Sequence, residues 1–490
     1  MATSTVDRRG FLQRVAIAAG GTALWPFADV VAGPAQAASG FRDLGPVADL
    51  RDGKVRLHLP EDFQYRSFHD TDGPPSVVLD DGTTLPGRHD GMAAFPGPDG
   101  KTWLVRNHEV NGPAAAFGPG QPYDAMTAGG TTTTLVDGQG VVSQSFTSLN
   151  GTQMNCMGGR MPWGSWITCE ETVNGPDVGA DFTGAPNTAL QQRHGYLFEV
   201  PAGGQSNRQP IGSAGRFAHE AVAFDPNGGI LYLTEDNFGF PSGFYRYIPP
   251  SNPMETGRLA DGGRLQMLAI AGTPQADLAR SQPQRATYRV EWVDIEEPDV
   301  LFPYTPGVPA PTSNNDAINF VGNQGRAQGA AWFSRIEGCV YDNGVVYFCC
   351  TQGGGPPEAS FGPIADGFGN GFGQIWAYRI EAEVLQLIYE SSGNAALDLP
   401  DNVAVRSGRG TLVLCEDGPV DNYLRGLSRG GQIFDIALNR LTRNATNAPR
   451  FGEEFAGATF SPDGETLFVN IQASQGITFA IWGPWARLGV

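Results

Sequence analysis

Lysine is nearly missing from these 490 residues: only Lys54 and Lys101 occur, and the other basic residues are Arg. Set against 51 acidic residues, the 32 basic ones leave a net charge of -19. That balance excludes nucleic acid as a specific partner, because a phosphate backbone demands Lys/Arg surfaces. Cysteine is scarce. Six are present (Cys156, Cys169, Cys339, Cys349, Cys350 and Cys415), with no C-x-x-C, which excludes a disulfide scaffold. Past the first residues, no stretch of about 20 is free of charge and turn residues, so no membrane span is expected in the mature chain. A P-loop and an H-E-x-x-H are both absent, which removes two common routes to nucleotide and zinc chemistry. What the chain has in plenty is 67 Gly and 37 Pro beside 40% hydrophobic residues. That is too apolar for disorder and too rich in turn residues for a helix bundle, and it fits short strands joined by many turns.

The N-terminus reads as an address. Asp7-Arg8-Arg9-Gly10-Phe11-Leu12 opens a basic segment, an apolar run follows from Val15 to about Phe27, and Ala35-Gln36-Ala37 supplies a small-x-small cleavage site. This order predicts a twin-arginine export signal over 1–37, and a single mature domain over 38–490 outside the cytoplasm, in a periplasm or the medium. The twin-arginine translocon is then a partner during export. The competing reading is a short amphipathic helix of the mature fold. The route carries folded proteins, a first hint of a metalloprotein.

A repeat runs through the rest. Six times an apolar strand, an Asp/Asn/Gly turn and a second apolar strand with a polar end follow one another, as in His219-Glu220-Ala221-Val222-Ala223-Phe224, Asp225-Pro226-Asn227-Gly228 and Leu231-Tyr232-Leu233-Thr234-Glu235-Asp236. The second-strand ends Glu109, Glu170, Glu235, Gln352, Glu416 and Gln472 are spaced by 61, 65, 117, 64 and 56 residues. A period near 60 with one long insertion predicts an all-β, six-bladed β-propeller; a sandwich with coincidental hairpins is the alternative. The insertion spans about 251–326, carries Pro303, Pro306, Pro309 and Pro311, and reads as a structureless lid or binding loop. Residues from about Arg56 to Phe68 read as one strand that pairs with Phe479-Ala480-Ile481-Trp482 to close the ring.

The first strand of each propeller blade lines the channel, so its start and the end of the second strand share a rim. First-strand starts place Asp90, Cys156, Glu220, Glu337 and Asp401 with Asn402 there. Second-strand ends add Asn107, Glu109, Glu170, Glu171, Glu235, Asp236, Glu416 and Asp417. The offset from Glu220 to Glu235, Glu337 to Gln352, Asp401 to Glu416 and Cys156 to Glu171 is 15 each time. So many carboxylates cannot all stay ionised without cations: either several are protonated or metals sit among them. Oxygen clusters suit Ca²⁺, and a thiolate among them suits iron or zinc. Gly426-Leu427-Ser428-Arg429-Gly430 matches a nucleophile elbow in letters, but no helix is expected after it. His89, His108, His194 and His219 are read as ligands, donors behind ligands, or structural groups.

The block Asn155-Cys156-x-Gly158-Gly159 with Pro162-Trp163-Gly164-Ser165-Trp166-Ile167-Thr168-Cys169-Glu170-Glu171 resembles the PhoX-type alkaline phosphatase family. So do Asn107-His108-Glu109, His194-Gly195-Tyr196, Arg216-Phe217-x-His219-Glu220, Glu235-Asp236 and Arg335-x-Glu337-Gly338. The resemblance implies a monomeric six-bladed propeller holding ferric iron (Fe3+) and calcium (Ca2+) in the pore, and hydrolysis of small phosphate esters to inorganic phosphate. By the same resemblance Cys156 binds iron as a thiolate, with Glu220 and Glu337 as further iron ligands. Glu109, Glu170, Glu171 and Glu416 bind calcium, and Arg335 contacts the substrate phosphate. Two other functions stay open: a lactonase or esterase using one Ca²⁺, which needs no thiolate, and a binding propeller without catalysis.

Overall fold

All six hairpins read from the sequence are antiparallel strand pairs in the computed structural model, which describes residues 43–406 and 408–490. The expected export signal over 1–37 lies outside the described residues. The pairs are His89–Pro96 with Thr102–His108, Asn155–Arg160 with Ser165–Glu170, and His219–Asp225 with Ile230–Glu235. They continue as Ile336–Asp342 with Val345–Cys350, Pro400–Val405 with Leu412–Glu416, and Phe455–Phe460 with Thr466–Ile471. Further strands extend each pair outward, helices among the described residues are short and few, and the architecture is all-β and propeller-like.

The first strand of each pair packs beside the first strand of the next, from His89–Pro96 round to Phe455–Phe460 and back. Small residues permit that approach. A Cβ on Gly91 would stand 2.6 Å from the Cys156 carbonyl oxygen, and one on Gly159 would stand 2.1 Å from that of Val222. Both distances are inside van der Waals contact, so the ring of strands closes only with glycine there. Larger side chains such as Trp166, Phe348 and Phe479 fill the space between sheets and are fully buried.

Closure follows the expected pairing: Gln64–Phe68 lies against Ile477–Trp482, so a strand from the start of the chain completes the sheet formed at its end. The single strand expected over Arg56–Phe68 is two strands, however. Val55–Leu59 pairs instead with Ile433–Asn439, and the chain breaks at Pro60, which has no N–H for a ladder, and Asp62, whose φ is 68°. The six hairpins do not each form a sheet of their own. The strands form five sheets, one of them nine-stranded, because Thr287–Asp294 pairs with Arg264–Ile270 on one side and Val384–Glu390 on the other. Arg264–Ile270, Thr287–Asp294 and the helices Asn314–Ile318 and Phe320–Ala327 occupy part of the 251–326 segment that read as structureless; 271–286 and 295–313 are its longest stretches without helix or strand. Tyr423–Leu427 and Ile433–Asn439 form a hairpin across Ser428, so the G-x-S-x-G letters do not make a nucleophile elbow.

Candidate functional site

Near its start, every one of the six first strands slips by one residue against its partner. His89 faces His108 but Met92 faces Arg106, and the same extra residue falls after Asn155, His219, Ile336, Pro400 and Ala456. A β-bulge releases a residue from the ladder and re-aims its side chain. In five strands the residue at the bulge is Asp90, Cys156, Glu220, Glu337 or Asp401, and all five line one cavity of about 360 Å³. In the sixth, Ala456 stays paired with Asn470, and the acidic group comes from Glu454, just before the strand. The residues one step past the second strands add Glu109, Glu171, Asp236, Asp417 and Gln472; Arg88 and Arg335 are the basic members.

Two donor groups stand out. Cys156 Sγ and one carboxylate oxygen each from Glu171 and Glu220 lie within 4.8 Å of one another. Oxygens of Glu220, Glu337 and Asp401 do the same, so Glu220 belongs to both groups. Burial first, and then neighbouring carboxylates, push Asp90, Glu171, Glu337, Asp401 and Glu454 well above the usual carboxylate range. Burial likewise raises Glu220 to about 7 and pushes up the Cys156 thiol, next to Glu220 and Glu171. Close anionic donors of this kind, mostly oxygen with one sulfur, fit bound cations, which would replace the protons that otherwise neutralise them.

Neutral and basic groups fix parts of the cluster. Gln472 Nε2 donates to Asp90 at 2.7 Å and to Glu109 at 2.5 Å, and the Arg88 guanidinium pairs with Glu109. The Met157 N–H donates to Glu220 at 3.2 Å. Arg335 Nη2 donates at 2.8 Å to both Asp236 and Glu337, and its guanidinium sits 4.8 Å from the Phe238 ring centre. Its backbone φ of 36° is in the left-handed region, a strain that this set of contacts holds in place.

Of the sequence candidates, Cys156, Glu109, Glu171, Glu220, Glu337 and Arg335 meet in this cavity. Glu170 and Glu416, expected among the calcium ligands, lie outside its lining. Glu170 accepts from His194 Nδ1 at 2.6 Å and from the N–H groups of Gln153, Gly195 and Tyr196. Glu416 accepts from Arg425 Nε at 2.8 Å and from the N–H groups of Asp398 and Tyr423. Both carboxylates are spent inside their own sheets. The constant offset of 15 hid this, because in the ladder Glu170, Glu235 and Glu416 are equivalent, facing Asn155, His219 and Pro400. Sequence reasoning missed Glu454 and Arg88. Glu454 had a signal in the Glu453-Glu454 pair before Phe455; Arg88 had none. The four histidines lie outside the cavity lining: His89 and His219 bond the Pro86 and Gly215 carbonyls, His108 bonds the Gly87 carbonyl and Thr132, and His194 holds Glu170.

Pseudomonas fluorescens PhoX in complex with vanadate, a transition state analogue, is similar in structure, with a TM-score of 0.63 at 16% identity over 90% of this chain and 98% of that one. The periplasmic gluconolactonase PpgL of Pseudomonas aeruginosa matches with a TM-score of 0.37 at 15% identity over 90% and 92%. A gluconolactonase of Xanthomonas campestris gives 0.34 at 11% over 85% and 97%. No curated protein matches the chain. The family model described as alkaline phosphatase PhoX matches residues 42–146 and 136–475, nearly the whole described chain. With the sequence block around Cys156 and a fold shared with a solved PhoX, the chain belongs to the alkaline phosphatase PhoX family of phosphoric monoester hydrolases.

Proposed function

We propose that the protein is an exported six-bladed propeller that uses ferric iron and calcium in its central cavity to hydrolyse small phosphomonoesters to inorganic phosphate. The six equivalent first strands, each with its bulge, support the blade count. The observation that carries the chemistry is the placement of the Cys156 thiol within 4.8 Å of the Glu171 and Glu220 carboxylates. A lone calcium needs only oxygens, whereas a thiolate favours a transition metal such as iron or zinc, and the resemblance around Cys156 favours iron.

In this reading Cys156, Glu220 and Glu337 hold iron. Glu109, Glu171, Asp236, Asp401 and Asp417 are the oxygen donors left for calcium. When bound, the cations supply Lewis acidity that neutralises a phosphate dianion and offsets charge developing on its equatorial oxygens. The chain's own residues do the rest. Arg335 exchanges its contacts with Asp236 and Glu337 for paired hydrogen bonds to phosphate oxygens, and its planar fork sets the orientation of the phosphoryl group. Phe238 keeps the guanidinium in place during that exchange. Gln472 holds Asp90 and Glu109 turned toward the cavity, and the Met157 N–H does the same for Glu220. Export rests on Arg8-Arg9 and the apolar run behind them; among the described residues no helix is long and apolar enough to cross a membrane.

The test is a side-by-side assay of an aryl phosphate and an aryl ester or lactone on metal-replete protein, with elemental analysis of the same sample. Turnover of the phosphate, lost with chelator and restored by calcium, is expected, together with bound iron that Cys156→Ser removes and Cys339→Ser does not. Turnover of the lactone alone would overturn the reading in favour of a calcium lactonase.

A further inference from the structure

The lining of the carboxylate cavity includes apolar side chains that metal binding does not use. Phe182, Phe238, Val173 and Ile318 share its lining with the acidic residues. Phe182 is 69% exposed, the most exposed of the large apolar side chains among the described residues, and Phe238 is 47% exposed. A single exposed phenylalanine is ordinary, but two exposed rings on the lining of one cavity mark a surface for a ligand.

Neither ring stands on a loose loop. Phe182 sits at the tip of a turn closed by the pairing of Ala180 with Pro186. The Asp181 carboxylate accepts from the Thr183 N–H at 2.8 Å, the Ala185 N–H at 2.9 Å and Asn111 Nδ2 at 3.2 Å. Phe238 is fixed by the Phe368 N–H donating to its carbonyl at 2.7 Å and by the Arg335 guanidinium over its ring. Ile318 comes from the helix Asn314–Ile318, whose first residue bonds Asn174 at 3.4 Å. Three separate segments thus bring apolar groups to the cavity that holds Arg335, and Arg88 and Arg335 are the only basic residues in its lining.

We infer that Phe182 and Phe238, with Val173 and Ile318, form the subsite for the alcohol portion of the ester, and that it favours phosphomonoesters of planar aromatic or apolar alcohols over those of small polar ones. This rests on the phosphatase reading above. With the phosphoryl group on Arg335, the ester's alcohol has to lie in the remaining part of the cavity. A planar group there gains ring contacts with Phe182 and Phe238 that glycerol or a sugar alcohol cannot match. A second phosphate or carboxylate on the alcohol would meet aromatic and acidic groups, with Arg88 already paired to Glu109.

The experiment measures binding of phenylphosphonate and methylphosphonate to metal-replete protein by calorimetry, beside turnover of phenyl phosphate by the same sample. Wild type is expected to bind phenylphosphonate about tenfold more tightly, the scale of one or two aromatic contacts. Phe182→Ala should reduce that ratio severalfold, and Phe182→Leu should keep part of it. Phe238→Ala should weaken both ligands through Arg335 and reduce the ratio as well, so the ratio separates the subsite from support of Arg335. Equal affinities in wild type, or a ratio unchanged in both Ala variants, would overturn the subsite while turnover of phenyl phosphate leaves the phosphatase reading standing. Binding of neither phosphonate, with no turnover, would overturn both.

Discussion

Glu170 and Glu171 are neighbours in the chain, yet the first is sealed in its sheet and the second lines the cavity. The same contrast separates Glu235 from Asp236 and Glu416 from Asp417. The first of each pair is the last residue of the second strand and faces a residue of the first strand. The second lies one step beyond, and side chains alternate from one residue to the next in extended chain. Surroundings then decide chemistry. Glu235 accepts from the Gly243 N–H at 2.7 Å and Tyr245 Oη at 2.8 Å, and Glu170 and Glu416 have at least three donors each. Glu171 is met instead by the charges of Asp236, Glu220 and Glu109, which add to the effect of burial and push its carboxyl up. Fixed donors make a carboxylate part of the scaffold, whereas crowding by other carboxylates makes it a ligand in waiting. Two adjacent acidic residues of this repeat therefore sit in two different surroundings.

Substitutions on the two sides of this contrast should separate cleanly. Glu220→Gln removes the one carboxylate common to both donor groups, and kcat/KM for a phosphomonoester should fall by about 10³-fold or more, with loss of bound metal, as for removal of a preorganised charge partner. Arg335→Ala should cost about 2–4 kcal/mol in kcat/KM and leave metal content intact, because it donates to substrate. Glu170→Gln should behave in the opposite sense. It keeps the metals but lowers unfolding free energy by about 2–3 kcal/mol in a denaturant titration, since it weakens charge-assisted bonds to a buried histidine and three N–H groups. Metal loss from Glu170→Gln equal to that from Glu220→Gln would erase the distinction between the two sets.

Much of this was legible before the structure. The Asp/Asn/Gly turns, such as Pro98-Asp99-Gly100 and Pro462-Asp463-Gly464, fix hairpins by local chemistry, and the small residues of the first strands mark where strands crowd together. The five bulge residues could be placed because each stands second in its strand. The facing of Glu170 and Glu416 could not be placed, because it depends on register, and the hairpins differ by one residue in length between Asn155–Glu170 and His219–Glu235. Thr287–Asp294 alternates apolar and polar residues as a strand should, with Tyr288, Val290 and Trp292 two apart, but the prolines after it suggested a loop throughout. Glu454 escaped because its strand keeps Ala456 paired and supplies the acid from outside the repeat position. The exposed Phe182 lies between repeats, where no period points to it.

The dependence on pH is the most informative about the unmetallated cluster. Burial raises the Glu220 carboxyl to about 7, and Asp90, Glu171, Glu337 and Asp401 go up as well, again through burial first. A carboxyl whose pKa is raised by folding keeps its proton in the native state at a pH where the unfolded chain has lost it. Its contribution to stability is therefore full below the unfolded pKa, near 4.5, and is lost as pH rises through the folded value. For Glu220 alone the loss is about 3 kcal/mol between those limits. Chelated protein should thus show a Tm that falls from about pH 5 to about pH 8. Calcium should raise Tm more at the upper end, because there cations bind carboxylates that have no protons to displace. The sealed set gives the control. Burial raises Glu235 and Glu416 to about 7 too, but both accept from fixed donors and lie outside the cavity lining, so their share of the slope should persist when calcium is present. Calcium should therefore flatten the Tm profile in part, and Glu220→Gln should reduce the part that calcium removes. A profile that calcium leaves unchanged would mean that the cavity carboxylates are as firmly satisfied as Glu170, and the contrast between the two sets would fail.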